Sequence, residues 1–295
     1  MLKKILLFLA VTLSVSMLSV VGYGYYQVQK TIKSVKPLSN TNNKLKEIKI
    51  PFDKKMNILV LGIDTGDLGR DDQGRSDTIL LTHLNFDKNE HTLLSVERDS
   101  LVEIPGYSNQ NKLNAAYAYG GVETAQKTVE QLFNTKIPYY VTVNMKGFQS
   151  ILEIAGPITV HNSFEFSYDD CHFKQGDILL EPDQALAWVR MRYEDPRGNY
   201  GRQMRQQELV KQLVNHLSKV ENLYKMPQLL AVLGENLKTN IPIEELIKSI
   251  DLTKLNLDLK TEQVQGENTF IDGVSYEVIS AAERERVRQL LSFKE

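Results

Sequence analysis

The sequence predicts an α/β fold: a mixed central β-sheet covered by helices on both faces, forming a single domain behind an N-terminal transmembrane helix. Three observations predict it. Strand-like and helix-like runs interleave from residue 56 onward, as in layered α/β domains. Three consecutive strand-like runs between Asn57 and Glu97 have short connections, which favour antiparallel neighbours. Near the N-terminus, Ile5 to Gln29 contains no charge.

That uncharged run comes first in the chain. Its apolar part, Ile5 to Tyr26, would span about 33 Å as a helix, enough for a bilayer core. Lys3 and Lys4 place the short end in the cytoplasm, and Tyr23, Tyr25 and Tyr26 suit an interfacial belt. The competing reading is a cleaved secretory signal. An uncleaved anchor is favoured because the run exceeds an h-region of about 7–15 residues and no small-x-small cleavage site precedes the tyrosines. Both readings put the rest of the chain outside the cytoplasm. Residues 1–29 are therefore read as cytoplasmic stub and anchor. Residues 30–55, rich in lysine, asparagine and serine, are read as a juxtamembrane spacer. Residues 56–219 form the main domain, and 220–295 a C-terminal extension packed on it.

Within the main domain, Asn57 to Gly62 reads as a buried strand, Thr78 to Phe86 as a second and His91 to Glu97 as a third, with Asp87 to Glu90 as a turn. Leu113–Gly121 and Glu123–Phe133 read as helix broken at Gly120-Gly121. Tyr139–Met145 reads as strand, Phe148–Ile154 as short helix and Ile158–His161 as strand. Pro182 and Asp183 are start signals for a helix to Val189. In the extension, Leu255–Leu259 and Val274–Ile279 are strand-like and Ala281–Leu291 is helical. No internal repeat is evident. The lone cysteine, Cys171, excludes an intramolecular disulfide and sits in no recognisable catalytic motif. A formal net charge of −2 gives no general drive toward nucleic acid.

If the first three strands pair antiparallel, Asp64, Asp77 and Arg98 meet at one rim. Two carboxylates suit a hard divalent cation and an arginine suits phosphate, which points to phosphoryl chemistry. The chain's 11 arginines support this. Eight fall in two windows: Arg70, Arg75, Arg98, then Arg190, Arg192, Arg197, Arg202, Arg205. A guanidinium fork is preferred over lysine where phosphate or carboxylate is held by two bonds. Surface ion pairing is the plain alternative. On the helix after Gly201 the apolar stripe is Leu209, Val210, Leu213, Val214 and Leu217. Arg202 and Gln206 fall within about 20° of Leu213, on that stripe, while Arg205 lies about 80° away. An inward arginine must be paired, and the helix N-terminus adds unsatisfied N–H groups suited to an anion. Alternatively the first turn passes the core edge and Arg202 reaches solvent or Asp195. Arg190 and Arg192 share a face if extended and diverge if helical; both remain open.

The motifs Asn57-Ile-Leu-Val-Leu-Gly-Ile-Asp64, Gly74-Arg-Ser-Asp-Thr78, Leu94-Ser-Val-Glu-Arg-Asp-Ser100, Lys112 to Gly121, Ala185-Leu-Ala-Trp-Val-Arg-Met-Arg192 and Asp195 to Gln206 occur in one order. In that order the chain resembles the LytR-CpsA-Psr family of bacterial cell-wall ligases over about residues 56–218. One departure is Glu97, where the family commonly has proline before the arginine. The resemblance implies that residues 56–219 are a catalytic domain. It would move an anionic glycopolymer (teichoic acid, capsular polysaccharide or a related chain) from a polyprenyl-pyrophosphate carrier to a peptidoglycan hydroxyl, forming a phosphodiester. It implies Mg2+ or Mn2+ held by Asp64 and Asp77. Arg75, Arg98, Arg190, Arg192 and Arg202 would surround the pyrophosphate, with Gln206 assisting. Arg98 and Asp99 are the catalytic candidates, Asp99 as base. Asp67, Asp71 and Asp72 are alternative metal ligands. The prenyl chain would lie in an apolar tunnel. The expected location is the cell membrane, single-pass, with the catalytic domain outside, in a Gram-positive bacterium. A polyprenyl-pyrophosphate hydrolase and a non-catalytic wall-polyanion or lipid-phosphate binding module are the alternatives. A DNA-binding regulator conflicts with the topology and lacks a recognition-helix motif.

Overall fold

The computed structural model describes residues 55–64, 73–86, 88–219 and 258–292, together with 222, 225, 228, 229, 231 and 236–242. The expected membrane anchor, the spacer up to residue 54 and the acids Asp67, Asp71 and Asp72 lie outside them. Among the described residues no helix is long and apolar enough to cross a membrane.

Lys55, assigned from sequence to the spacer, opens strand β1, Lys55–Ile63. It pairs antiparallel with β2, Ser76–Asn85, which pairs antiparallel with β3, Glu90–Ser95. The short β4, Leu101–Val102, and β5, Asn111–Lys112, form a small ladder before helix α1, Ala115–Phe133, whose φ/ψ break at Gly120 and Gly121. Strand β6, Tyr139–Asn144, lies parallel to β1, and α2 follows at Met145–Ala155, capped by the Asn144 side chain. A smaller layer holds β7, Ile158–Asn162, β8, Phe166–Tyr168, β9, Cys171–Phe173, and β10, Gly176–Leu180. Helix α3, Pro182–Arg190, starts with a capping box at Glu181, and α4 is Asn199–Leu217. The rest contains β11, Leu237–Thr239, β12, Leu259–Gln263, β13, Glu267–Ile271, β14, Val274–Val278, and α5, Ala281–Leu290.

The main sheet runs β11-β6-β1-β2-β3-β12. Its β1–β6 and β3–β12 pairs are parallel and its others antiparallel, so it is mixed. Both edge strands come from residues beyond 219.

Strand side chains alternate between faces, and both faces are apolar because helices cover both. On one side Leu59, Leu61, Ile79, Leu81 and Leu94 pack with Val129 and Phe133 of α1 and Val287 of α5. On the other, Val60, Leu80, Leu93 and Leu259 meet Val210 and Val214 of α4. A second core gathers Leu152, Val160, Phe166, Phe173 and Trp188 with Leu209 and Leu213 of α4. The apolar stripe of α4 is therefore divided between two cores.

This double burial explains where sequence reasoning went astray on α4. The fully enclosed arginine is Arg205, at 3% exposure, not Arg202. Periodicity assumes one buried face, whereas α4 has two. Arg205 donates through Nη1 to Asp195, through Nε to the Trp188 carbonyl at 3.0 Å and through Nη2 to the Met191 carbonyl. Asp195 also accepts from the Arg197 backbone N–H at 2.9 Å and Nε at 3.2 Å. A Cβ on Gly201 would fall 2.0 Å from Asp195 Oδ2, so only glycine lets that carboxylate lie against the first turn of α4.

Burial disfavours the Asp195 charge, but hydrogen bonds from Arg197 and Arg205 prevail and hold its carboxyl below the ordinary 3.8. The native value is below the unfolded one, so this stabilisation is present above about pH 4 and lost as pH falls through the native value. Asp195→Asn leaves Arg205 enclosed without a counter-charge. It is expected to reduce unfolding free energy by about 3–5 kcal/mol in urea titrations at pH 7, and to flatten the loss of stability between pH 5 and 2.

Candidate functional site

The three-strand ladder delivers the expected convergence. The β1–β2 register sets Ile63 beside Ser76, and the Val96 N–H donates to the Ile79 carbonyl at 2.9 Å. The residue after β1, the second residue of β2 and the segment after β3 therefore share one rim. There Arg98 Nη1 donates to Asp77 Oδ1 at 2.7 Å. The Asp64 N–H donates to the Arg75 carbonyl at 3.2 Å, and its side chain accepts from the Arg75 N–H. A Cβ on Gly74 would fall 1.8 Å from Asp64 Oδ1. Glycine in the Gly74-Arg-Ser-Asp77 motif is thus what lets Asp64 fold over the start of β2.

From the facing side, the first two turns of α4 close a cleft. Its walls are Asp77, Ile79, Leu80, Ser95, Val96 and Arg98 from the sheet, and Asn199, Arg202, Gln203 and Gln206 from α4. The α4 N-cap is Gly198, with no side-chain cap and no acid in the first turn, and the Asp195 carboxylate lies against that turn. The Nε atoms of Arg98 and Arg202 are buried and lack a hydrogen-bond partner. Burial, then repulsion from Arg98, pushes the Arg202 guanidinium below its ordinary value; arginine stays charged nonetheless. Buried donors of this kind are costly unless something accepts from them.

The other expected residues take varied places. Gln206 lines the cleft. Asp99 flanks it, 3.0 Å from Lys112 Nζ and 4.0 Å from Arg98 Nε. Arg192, just past α3, is half-buried and near enough to Arg202 to act on its charge. Met191 is extended (φ −55°, ψ 135°), so the helix stops between Arg190 and Arg192. Arg190 is exposed in the last turn of α3, and Arg75 is exposed just before β2. Arg197 turns away to Asp195 and Ser163.

Asp64 and Asp77 form a donor set of hard oxygens, the type that Mg2+ and Mn2+ take. Among the described residues no group of three or more His, Cys, Asp or Glu could hold a metal. An ion on these two carboxylates would complete its shell from phosphate and water.

Sequence reasoning left the role of Glu97 open. It is 4% exposed, and its carboxylate accepts from Asn199 Nδ2 and Gln203 Nε2, both on α4. Burial, reinforced by nearby Asp99, pushes its carboxyl above the ordinary range. The signal was the Val96-Glu97 pair itself, an acid on a strand end that otherwise reads as buried.

A model of the LytR_cpsA_psr family matches residues 22–292. The chain is 38% identical, over an alignment of 301 positions that covers 98% of it, to the polyisoprenyl-teichoic acid–peptidoglycan teichoic acid transferase TagU of Enterococcus faecalis, 96% of which is covered. Protein gbs0355 from Streptococcus agalactiae superposes with a TM-score of 0.73 at 32% identity, covering 81% of this chain and 86% of that one. TagT bound to LIIa-WTA superposes at 0.69 with 25% identity, covering 87% and 97%.

The two unpartnered guanidinium N–H groups predict binding of a polyphosphate anion. Arg98→Met and Arg202→Met are each expected to weaken inorganic pyrophosphate binding roughly 10–100-fold, the worth of a charged hydrogen bond. Titration calorimetry at low ionic strength is the measurement, and raising the salt should weaken wild-type binding as well.

Proposed function

The chain belongs to the LytR-CpsA-Psr family, and from that premise we propose that it is a membrane-anchored extracellular phosphotransferase. Its donor is an anionic glycopolymer on a polyprenyl-pyrophosphate carrier and its acceptor is a peptidoglycan hydroxyl. The E. faecalis relative's name makes teichoic acid the first polymer to test, ahead of capsular polysaccharide. The observation that carries the reading is the pair of buried, unpartnered Nε–H groups of Arg98 and Arg202, facing one cleft beside Asp77.

The acceptor oxygen attacks the sugar-side phosphorus, the P–O–P bridge breaks, and polyprenyl phosphate leaves. Charge grows on the leaving phosphate, and Arg98 and Arg202 are assigned to donate to it. Gln206 adds a donor on the same wall. Arg75, Arg190 and Arg192, outside the cleft lining, are assigned to the outer phosphate oxygens and the polymer's own negative charge. Asp99, beside Arg98, is the carboxylate assigned to take the acceptor proton. Asp64 and Asp77 would hold Mg2+ or Mn2+, which supplies neutralisation of phosphate charge.

The prenyl chain is assigned to the apolar side of the same cleft. Next to its Leu80 wall, Val60, Leu84, Val210 and Val214 pack between sheet and α4 and are only half-buried. These half-exposed apolar side chains support a lipid-holding role.

The test incubates the full-length protein with a lipid-linked teichoic acid analogue, peptidoglycan and Mg2+. Wall-linked polymer is expected, and Asp77→Ala should reduce its rate at least 100-fold, on the scale of losing a charge-stabilising group. A binding module would keep its ligand with Asp77→Ala and form no product. Phosphate release indifferent to peptidoglycan would mark a hydrolase. Asp77→Asn separates metal from arginine effects. Without metal it should bind pyrophosphate more tightly, because a repelling carboxylate is gone and Arg98 is freed; with Mg2+ it should bind less tightly.

A further inference from the structure

We infer that Glu97 is a positioning residue of this site: by accepting the side-chain amides of Asn199 and Gln203 it fixes the first turn of α4 to the end of β3, and so sets the spacing of Arg98 and Arg202 across the cleft. The inference rests on the reading of the cleft as a pyrophosphate site.

Arg98 follows Glu97 directly in the chain, and Arg202 sits on α4 between Asn199 and Gln203. One carboxylate therefore joins the two segments that carry the unpartnered Nε–H groups. Those groups repel each other, as the effect of Arg98 on Arg202 records. Apolar packing draws α4 onto the sheet, but the like charges of Arg98 and Arg202 oppose closure at its N-terminal turn unless an anion offsets them. Glu97 provides that anion from behind the cleft wall, and its charge acts on both arginines.

A role in proton transfer is excluded by the same contacts. One carboxylate oxygen is taken by Asn199, with the Asp99 N–H at 3.4 Å, and the other by Gln203. At 4% exposure neither is open to an acceptor hydroxyl. The clamp also belongs to this chain's own residues, since a proline at this position would supply no acceptor.

The inference can be separated from a purely electrostatic effect by the sign of the response. Glu97 is a negative charge close to an anion site, so charge alone makes its removal favourable to pyrophosphate. A clamp makes its removal unfavourable. Inorganic pyrophosphate is titrated into full-length protein carrying Glu97→Ala, Glu97→Asp and Glu97→Gln, with thermal unfolding followed in parallel. Glu97→Asp keeps the charge but is one methylene short of spanning both amides. Glu97→Gln loses the charge but keeps the reach, and rotation of the Asn199 and Gln203 amides restores donor–acceptor pairs. Glu97→Ala and Glu97→Asp are expected to bind roughly tenfold more weakly, the scale of one weakened hydrogen bond to a charged group, and Glu97→Gln close to wild type. In the ligation assay the same two variants should lose kcat rather than gain KM alone. An affinity order set by charge, with Glu97→Ala and Glu97→Gln tighter than wild type and Glu97→Asp unchanged, overturns the inference. Should Glu97→Ala fail to fold, the Asp and Gln pair decides it alone. Absence of pyrophosphate binding by the wild type would instead remove the reading of the cleft.

Discussion

Everything at the cleft depends on how α4 is held. The helix lies between two apolar cores, with Val210 and Val214 against the sheet and Leu209 and Leu213 against the second layer. Apolar contact fixes its depth but not its rotation or its sliding along the axis. The enclosed Asp195–Arg205 pair supplies that restriction. Arg205 spends its three nitrogens on three points of the segment between Trp188 and Asp195. That segment carries Arg190 and Arg192. A single guanidinium thus ties the second arginine window to the helix that presents Arg202. Replacing such a pair with apolar side chains is often neutral or stabilising in proteins, so its value here is geometric.

A second set of contacts comes from the chain beyond residue 219. Gln207 donates to the Leu93 and Glu262 carbonyls, linking α4 to adjacent strands β3 and β12. Gln263 Nε2 reaches the Tyr200 carbonyl at 2.8 Å, and Tyr200 Oη donates to Glu277 at 2.5 Å. Burial and that carboxylate raise the tyrosine well above its ordinary value, so it remains a donor. The Glu277 N–H in turn donates to the Asp99 carbonyl at 3.0 Å. The C-terminal segment therefore braces both walls of the cleft and supplies both edges of the sheet.

The legible part of the sequence was the part governed by local periodicity. Three strands with short connections gave antiparallel neighbours, and from that alone Asp77 and Arg98 were placed together. The break at Gly120-Gly121, the start of α3 and the termination of α5 are likewise local. Illegible were the features decided by long-range packing. Nothing near Leu259 says that it joins β3 in parallel, because parallel pairing has no turn to announce it. A helical wheel has one inward direction and puts Arg205 about 80° from it, whereas this helix has two buried faces. Arg202 lies on the apolar stripe as expected, yet its burial is partial because its neighbour is a cleft rather than a core.

The division of labour among arginines follows from these constraints. Arg197 and Arg205 have carboxylate and carbonyl partners, and their charge is consumed inside the protein. Arg98 and Arg202 keep buried Nε–H groups with no acceptor, beside unsatisfied oxygens on Asn199, Gln203 and Ser95. Unpaired groups of this sort each cost about 1–3 kcal/mol, and these lie on the two facing walls of one cleft. A folded chain selected for stability alone would pair them, since Asp99 is only 4.0 Å from Arg98 Nε and instead engages Lys112. For the two Nε–H donors an anion between the walls would relieve that cost, as expected where donors are held in place ahead of a ligand.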